Sequence, residues 1–470
     1  MWKIIFEHEW LLLTRNKFLI FGLMALLSSG FYSLFYGRSF AVRQQNVLNS
    51  IDTTEAGRVQ RHLALYANVD TLTFTGKQDY MFSNDAYLSD YRMQKTVYNP
   101  ISPFAALSIG QKDVFPYYFN VYILNNIYTS KLQEIRNPSV LLAGNFDLAF
   151  VIIYLFPLFI IAFGFSVLSS EKDTHTFSLL KIHAVSINAI LFYKILFRFA
   201  LLSVCIVLLS VCGFILNGGI ALSWQLMLGW ILTNFLYIGF WFALVYFIAS
   251  LNLTSSFNAV ILISFWILFL LFIPSAINYI ISQKEDDPES LELISADRDG
   301  DNDIWKLPFR ETIAQFHKVA PQFDSRAYPV KDSSETRFMA YMELSQIQKN
   351  KIGEKLDQKM NQSYQMALLF NPINPAFTAL TSLNHIAAAE IPDQLAFTKA
   401  VKEYQRQRRH FIFSYKLSEK KFSREQFLQF PKFTFHPPSF SFIALLKVVT
   451  PLFLWILLLS SAAYLKTRKL

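Results

Sequence analysis

Apolar and polar residues alternate along this chain in long blocks. A helix crosses about 30 Å of hydrocarbon with roughly 20 predominantly apolar residues. Six tracts reach that length, and each predicts a transmembrane helix. They run from about residue 18 to 36, 146 to 168, 190 to 216, 226 to 250, 260 to 281 and 443 to 465.

The first 15 residues are too short to span a bilayer, but they are amphipathic. Trp2 and Phe6 can share one helical face, opposite Lys3 and Glu7. This pattern, together with Trp10, is typical of a helix that lies in the membrane interface. Trp2 and Trp10 are therefore predicted to be interface anchors.

Two long polar blocks, residues 37–145 and 282–440, predict extramembrane regions that are mainly helical. In the second block, residues 336–369 and 394–416 carry apolar positions at spacings of three and four, which predicts two long helices. A segment with two prolines, residues 371–375, breaks the chain between them. The expected fold is an all-α membrane bundle of six transmembrane helices with an N-terminal interfacial helix and these two regions.

The chain is thus divided into five parts. They are the interfacial and first transmembrane helices (1–36), a first extramembrane region (37–145), transmembrane helices two to five (146–281), a second extramembrane region (282–440), and the sixth transmembrane helix with a basic tail (441–470).

Basic residues near the tracts predict the orientation, because short segments rich in Lys and Arg stay in the cytoplasm. With six spans, the basic residues before the first tract, between the second and third, and after the last all fall on one side. We therefore expect both termini in the cytoplasm and both long regions outside it. Lys194 and Arg198 lie just inside the third tract, where they are predicted to snorkel to the interface as anchors. The basic residues on which the orientation rests are Lys3, Arg15, Lys17, Lys172, Lys181, Lys194, Arg198, Lys466, Arg468 and Lys469.

Composition agrees with a membrane protein, since 53% of the residues are hydrophobic and only 16% are charged. The net charge of +9 does not indicate nucleic-acid binding, because much of the excess lies beside the apolar tracts and is not gathered on one basic face. Cys205 and Cys212 lie inside one apolar tract and are predicted to be buried, unreactive thiols.

Two positions in the second tract have structural interpretations. Pro157 lies in its middle, where neighbouring helices must satisfy the carbonyl that the proline frees. Asp147 lies at the external edge of the tract, and a carboxylate there could be a functional group. We favour a helix-entry role, in which Asp147 caps the N-terminus and meets the helix dipole.

An ordered series of motifs surrounds this tract. Gly144-Asn145-Phe146-Asp147 leads into it, and Ser169, Glu171, Lys172, Asp173, Thr176, Leu179-Leu180, Val185-Ser186 and Lys194 follow it. In type and order these residues resemble the permeases of ABC-2 type transporters. They are most similar to a bacterial branch whose extracytoplasmic region is known only as a domain of unknown function. Asn137-Pro138, Gly110-Gln111-Lys112-Asp113 and Asn371-Pro372 also fit, so the resemblance covers most of the chain.

Three positions depart from that family's pattern. His175 and Tyr193 stand where the family has Gly, and Ala184 stands where it has Pro. Residues that bend or loosen a backbone are thereby replaced by residues that do not. We therefore expect the cytoplasmic segment to be more continuously helical than is usual in the family.

The resemblance implies an exporter in the bacterial cytoplasmic (inner) membrane that is driven by ATP hydrolysis. The chain has no Gly-x-x-x-x-Gly-Lys-Ser/Thr run for binding phosphates, so it is not expected to be an enzyme. The ATPase must then be a separate subunit. Because six spans are too few for a full transporter of this class, we expect a second permease as well and favour a heterodimer over a homodimer.

The predicted ATPase-coupling site is the segment of residues 169–188, acting with the amphipathic N-terminus. A charged helix with apolar residues suits a groove on a motor subunit; an ordinary interfacial loop whose charges face water is the alternative. The residues that we expect to couple are Glu171, Lys172, Asp173, Thr176, Phe177, Leu179, Leu180 and Lys181.

No metal or cofactor is predicted. The acidic residues that follow the fifth tract do not form an EF-hand, because counting from Asp297 places Gly300 fourth and Pro308 twelfth, whereas that loop needs Gly sixth and Glu twelfth. A solvated acidic loop is the expectation.

Two other functions stay open. One is a protein that transmits force or signals across the membrane on the same scaffold. The other, with less support, is a membrane enzyme.

Overall fold

The computed structural model of the chain describes residues 2–67, 71–132, 145–173, 186–218, 223–283, 288–324, 334–418, 420 and 422–468. Across these residues the protein is mainly helical, with one two-stranded antiparallel sheet. Six of the helices are long and apolar enough to cross a membrane. The predicted all-α bundle with six transmembrane helices is confirmed.

The bounds of the elements are as follows. In chain order they are α1 (Trp2–Arg15), α2 (Lys17–Leu65), α3 (Phe74–Asn84), α4 (Ala86–Met93), β1 (Lys95–Tyr98), β2 (Tyr118–Val121), α5 (Ile127–Leu132), α6 (Leu148–Lys172), α7 (Ile187–Leu216), α8 (Trp224–Ser250), α9 (Ser255–Ser282), α10 (Pro288–Ser295), α11 (Asp301–Lys306), α12 (Phe309–Val319), α13 (Ser334–Leu368), α14 (Pro375–Ile386), α15 (Ile391–Leu417), α16 (Arg424–Leu428) and α17 (Phe442–Thr467). Helices α6 and α9 each contain a π-helical turn, Val151–Leu155 and Leu268–Phe272.

The ends of the membrane helices form two sets. At one end, which we call the inner end, α1 packs against the beginning of α7, and Thr467 of α17 donates to Asn188 Oδ1 of α7 at 2.9 Å. The turn between α8 and α9 lies there too, because the Asn252 carbonyl accepts from Lys172 Nζ at 2.7 Å. All the long extramembrane segments leave from the opposite, outer end.

Helix α2 runs far beyond the first predicted span. Asn16 separates it from α1 and caps it, since Asn16 Oδ1 accepts from the amides of Phe18 and Leu19 at 3.1 and 3.2 Å. Its 49 residues rise about 75 Å. The apolar tract ends near Tyr36, but the polar sequence after it contains no proline up to Leu65 and keeps the helix unbroken. The second half of α2 therefore projects from the bundle.

The two π-turns lie just before Pro157 in α6 and Pro274 in α9. Pro157 has no amide hydrogen for the carbonyl of Ile153, four residues before it, and the hydroxyl of Tyr237 in α8 donates to that carbonyl at 2.8 Å. Trp266 Nε1 of α9 donates to the neighbouring carbonyl of Tyr154 at 3.2 Å. A neighbouring helix thus supplies the partner that a proline in a membrane helix requires.

The two long regions fold together into one outer domain. Strand β1 pairs with β2, and the Phe119 side chain of β2 stacks on Phe397 of α15. Asp90 of α4 pairs with Arg408 of α15, while Asn126 Nδ2 donates to Gln346 of α13 at 2.8 Å. Segments from both sides of the membrane-helix block therefore share the same hydrophobic cores.

The long helices predicted in the second region are confirmed. They are α13 and α15, and the break between them contains Asn374, which caps α14 by accepting from the amides of Ala376 and Phe377. The predicted acidic loop is wrong for residues 288–306, which form α10, a π-turn and α11. Lys349 Nζ of α13 forms an ion pair with Asp297 Oδ1 at 2.9 Å. Packing against α13 therefore stabilises this acidic sequence as helix. Residues 284–287 lie outside the described part of the chain.

A test of the proline interpretation combines Tyr237→Phe with Pro157→Ala. Tyr237→Phe should lower the free energy of unfolding by about 1 kcal/mol, because the Ile153 carbonyl loses its donor in a bilayer. In the Pro157→Ala background, the alanine amide can bond to the helix carbonyls, so the same change should cost less. Thermal unfolding in detergent measures both effects, and an equal cost in the two backgrounds would contradict the interpretation.

Candidate functional site

Four charged side chains from three helices meet at the inner end. Arg198 of α7 donates from Nε to Glu9 Oε2 of α1 at 2.8 Å. Lys194, one turn earlier on α7, lies 2.6 Å from Glu171 Oε1 of α6 and 3.9 Å from Glu9 Oε1. Arg198 also donates to the Phe163 carbonyl and covers the Phe163 ring. We call Glu9, Glu171, Lys194 and Arg198 the inner charge cluster.

This cluster is largely buried. The side chain of Glu9 is 0% exposed, and those of Lys194 and Arg198 are 7% and 8% exposed. Lys194 and Arg198 are thus held against acidic partners inside the protein, and their role as interface anchors stays a prediction. Two acids and two bases balance one another, and breaking one buried pair leaves an uncompensated charge that costs about 3–5 kcal/mol.

The predicted coupling residues lie partly beside this cluster. Glu171 belongs to it, and Lys172 bonds to the α8–α9 turn. Asp173 ends the short helical stretch Ser169–Asp173. Thr176, Phe177, Leu179, Leu180 and Lys181 lie outside the described residues, as do His175 and Ala184.

The remaining predicted anchors are on α1. Trp2 and Trp10 are 53% and 52% exposed, and they lie on the same helix as Glu9. Glu9 is the cluster member that the sequence did not single out. Two signals could have found it: an acid interrupts the apolar face of α1, and Lys194 and Arg198 are four residues apart on one face of α7.

At the outer end, Asp147 ties the start of α6 to a buried loop. One carboxylate oxygen accepts from the Phe150 amide at 2.8 Å as an N-cap, and the other accepts from the Ile109 amide at 2.8 Å. The Leu107 carbonyl accepts from the Ala149 amide at 3.0 Å. Burial raises the pKa of Asp147 to about 6, although the hydrogen bonds from backbone amides oppose that shift.

Two segments of the outer domain close the outer end of the bundle. One is the buried loop of residues 104–109, and the other is α14, whose apolar face packs among the membrane helices. Ser108 Oγ donates to Asn384 Oδ1 of α14 at 2.6 Å, and Lys112 Nζ donates to the Ala387 carbonyl at 3.0 Å. Helix α2 passes this loop at Gly37, where any Cβ would collide with the Ala106 carbonyl.

A cavity of about 370 Å³ lies beside this closure and is lined by Lys112, His385, Asp393 and apolar residues such as Phe440. Burial lowers the pKa of Lys112 to about 8, although the charge of Asp393 opposes this, and burial also raises the pKa of Asp393. No group of His, Cys, Asp and Glu that could hold a metal ion occurs among the described residues.

Comparisons with known proteins add one finding. A family model described as ABC-2 family transporter protein matches residues 4–459. The match spans nearly the whole chain and includes both the inner charge cluster and the outer closure. Neither the curated proteins nor the solved structures contain a significant match.

Replacing Glu9 should reveal the cost of opening the inner charge cluster. Glu9→Gln leaves the buried Arg198 without its carboxylate and should lower the free energy of unfolding by about 3 kcal/mol. Glu7→Gln is a matched control on the same helix, because Glu7 is exposed, and it should change stability by less than about 0.5 kcal/mol. Thermal unfolding in detergent compares the two; equal losses would show that the cluster has no special role.

The pKa of Asp147 predicts how stability depends on pH. The folded-state pKa is about 6, above the usual 3.8, so the folded protein binds the proton of Asp147 more tightly than the unfolded chain does. The contribution of this proton to the free energy of unfolding is therefore complete below pH 3.8 and is lost as the pH rises through 6. Asp147→Asn does not titrate, so the stability of wild type relative to this variant should fall between pH 4 and pH 7, by about 1–3 kcal/mol. Unfolding measured across that range tests this, and a constant difference would contradict it.

Proposed function

The chain belongs to the ABC-2 family of transporter proteins, and we propose that it is the membrane permease subunit of an exporter whose ATPase is a separate subunit. The observation that carries the proposal is the inner charge cluster. It connects the N-terminal helix, the end of α6 and the beginning of α7 next to the segment with the family's motif. A force applied to that segment would reach three helices through ion pairs.

We assign the coupling role to residues 169–188 together with α1. Glu171 and Lys194 connect the segment to α7, and Lys172 connects it to the turn between α8 and α9. Because these contacts are short and partly buried, movement of the segment has to move α7 or break the contacts. A rigid connection of this kind suits a segment of the permease on which the ATPase subunit exerts force.

We place the inner end, with both chain termini, in the cytoplasm of a bacterial cell and the outer domain beyond its inner membrane. The basic residues before the first span, between the second and third, and after the last support this orientation, because they all fall on the same side. A second permease would complete the path, and we favour a different chain over a second copy. Several exposed apolar side chains on α7, such as Val204 and Ile215, offer a surface for lipid or for that partner.

A second candidate function uses the same scaffold without moving a solute. Helix α2 runs unbroken from the inner end into the outer domain, so it could transmit force or information across the membrane. The two functions differ in one measurable respect. ATP turnover by a transporter depends on its solute, whereas turnover by a mechanotransmitter does not.

A charge reversal tests the coupling role in the complex with the ATPase that co-purifies. Glu171→Lys and Lys194→Glu should each lower ATP turnover in lipid nanodiscs about tenfold, which corresponds to a loss of about 1.4 kcal/mol in coupling. The double variant restores an opposite-charge pair and should recover most of the turnover. Thermal unfolding of each variant separates loss of coupling from loss of folding.

Lys351→Glu, an exposed charge reversal on α13 of the outer domain, is the control and should leave turnover unchanged. Two results would contradict the proposal. One is a chain that never co-purifies with an ATPase. The other is a double variant no better than the single ones although all of them fold.

A further inference from the structure

Two neighbouring cavities form one groove along α14. The outer cavity has a volume of about 480 Å³ and the inner one about 190 Å³. They share four lining residues, so the two cavities adjoin one another. These residues are Asn278, Ala367, Phe377 and Leu380.

The groove is polar at one end and apolar at the other. Its outer part contains Glu390, Gln111 and Asn384, whereas its inner part contains Ile153, Phe269 and Ile277. On α9 alone, the lining extends from Phe269 to Ser282, a rise of about 20 Å. These dimensions fit one amphiphile, with its head group outward and its apolar chain directed into the bundle.

Both π-turns contribute to the apolar end. Ile153 and Tyr154 belong to the turn in α6, and Phe269 and Leu270 belong to the turn in α9. The Phe269 carbonyl accepts from Asn374 Nδ2 at the start of α14 at 2.8 Å. π-Turns inside helices occur frequently at functional sites. Here they shape the wall that faces α14.

The groove lies on the side of the bundle that faces the bilayer. Only 22% of the apolar window of α9 is buried, so α9 is a peripheral helix. Phe272 and Tyr279 are 67% and 66% exposed, and Asn278, which lines both cavities, is exposed beside them. A lipid-like molecule could therefore enter sideways from the outer half of the membrane.

The charge of the lining selects the head group. Glu390 is the one ionisable acid among the described residues that line the two cavities, and they include no Lys or Arg. Its carboxylate is bonded to Tyr364, and His385 Nδ1 lies 3.3 Å from Glu390 Oε2 on the far side. The nearby amides of Asn278 and Gln111 can accept further hydrogen bonds. A negatively charged head group would meet this carboxylate, and the described lining of the two cavities offers it no Lys or Arg.

We propose that this groove is a binding site for a single-chain amphiphile whose head group donates hydrogen bonds and carries no negative charge, such as an alkyl ammonium. Binding there requires neither nucleotide nor the ATPase. It can therefore be tested separately from the transport function.

The test uses the full chain in phosphatidylcholine nanodiscs at neutral pH, without ATP. The probe is octadecylamine with a photoactivatable diazirine on its chain, and the comparison is the octadecanoic acid with the same diazirine. The amine should label peptides containing residues 269–282 and 363–381 about tenfold more than the acid, the ratio that 1.4 kcal/mol produces. Mass spectrometry of the digested protein measures the labelling.

Three substitutions and one control locate the site. Asn278→Trp, at an exposed position shared by both cavities, should block labelling, and Ala367→Phe is a second blocking variant should the first fail to fold. Glu390→Gln should reduce the preference for the amine over the acid. Val260→Trp, on the lipid-facing side of the same helix, should leave labelling unchanged.

Other outcomes would overturn the proposal. Equal labelling by the amine and the acid would remove the head-group preference, and labelling that both blocking variants leave unchanged would place the amphiphile elsewhere. Cross-links between the groove residues of two chains would identify the groove as a subunit interface. Because no ATPase is present, failure of coupling in the charge-reversal experiment would leave these results unaffected.

Discussion

Inside a bilayer no water is available, so every polar group must find its partner within the protein. The rest of this structure depends on that constraint. It explains why Tyr237 bonds to the carbonyl that Pro157 frees, and why Glu9 of the N-terminal helix lies under the bundle against Arg198. The same side chains that satisfy the constraint also fix the helices to one another. Polar contacts thus set the positions of helices whose apolar faces alone would pack in several ways.

Polar groups at the outer end also find their partners within the protein, but there the partners come from the outer domain. Sequence regions on both sides of the membrane-helix block form one domain, which then sends a loop and α14 back into the bundle. Hydrogen bonds fix these two segments. Asp147 accepts from an amide of the loop, and the side chains of Ser108 and Lys112 donate to α14 and to the residue after it. The outer end is therefore closed by parts of the domain itself, and the amphipathic groove lies at the edge of that closure.

Much of the fold could be predicted from hydrophobic patterning, because a span of 20 apolar residues is a strong local signal. The six membrane helices carry this signal, and the long helices α13 and α15 are predicted from apolar positions at spacings of three and four. The sequence contains signals that point to Glu9 and to the pair Lys194 and Arg198, but it does not show that they meet, because Glu9 and Arg198 are 189 residues apart and no local pattern joins them. The local sequence gives only the snorkelling interpretation for Lys194 and Arg198, whereas their acidic partners come from two other helices. The continuation of α2 past Tyr36 was missed because a polar helix with few apolar positions shows little periodicity.

The unbroken length of α2 has a mechanical consequence. Its first turn adjoins α1, which carries Glu9, and its last turns pack against the outer domain through residues such as His62 and Phe427. A helix of this length acts as a lever: a tilt of about 5° would displace its far end by about 6 Å at a rise of 1.5 Å per residue. A small rotation among the ion pairs at the inner end is thus enlarged, without any intermediate part, into a displacement wider than a water molecule where α2 meets the outer domain.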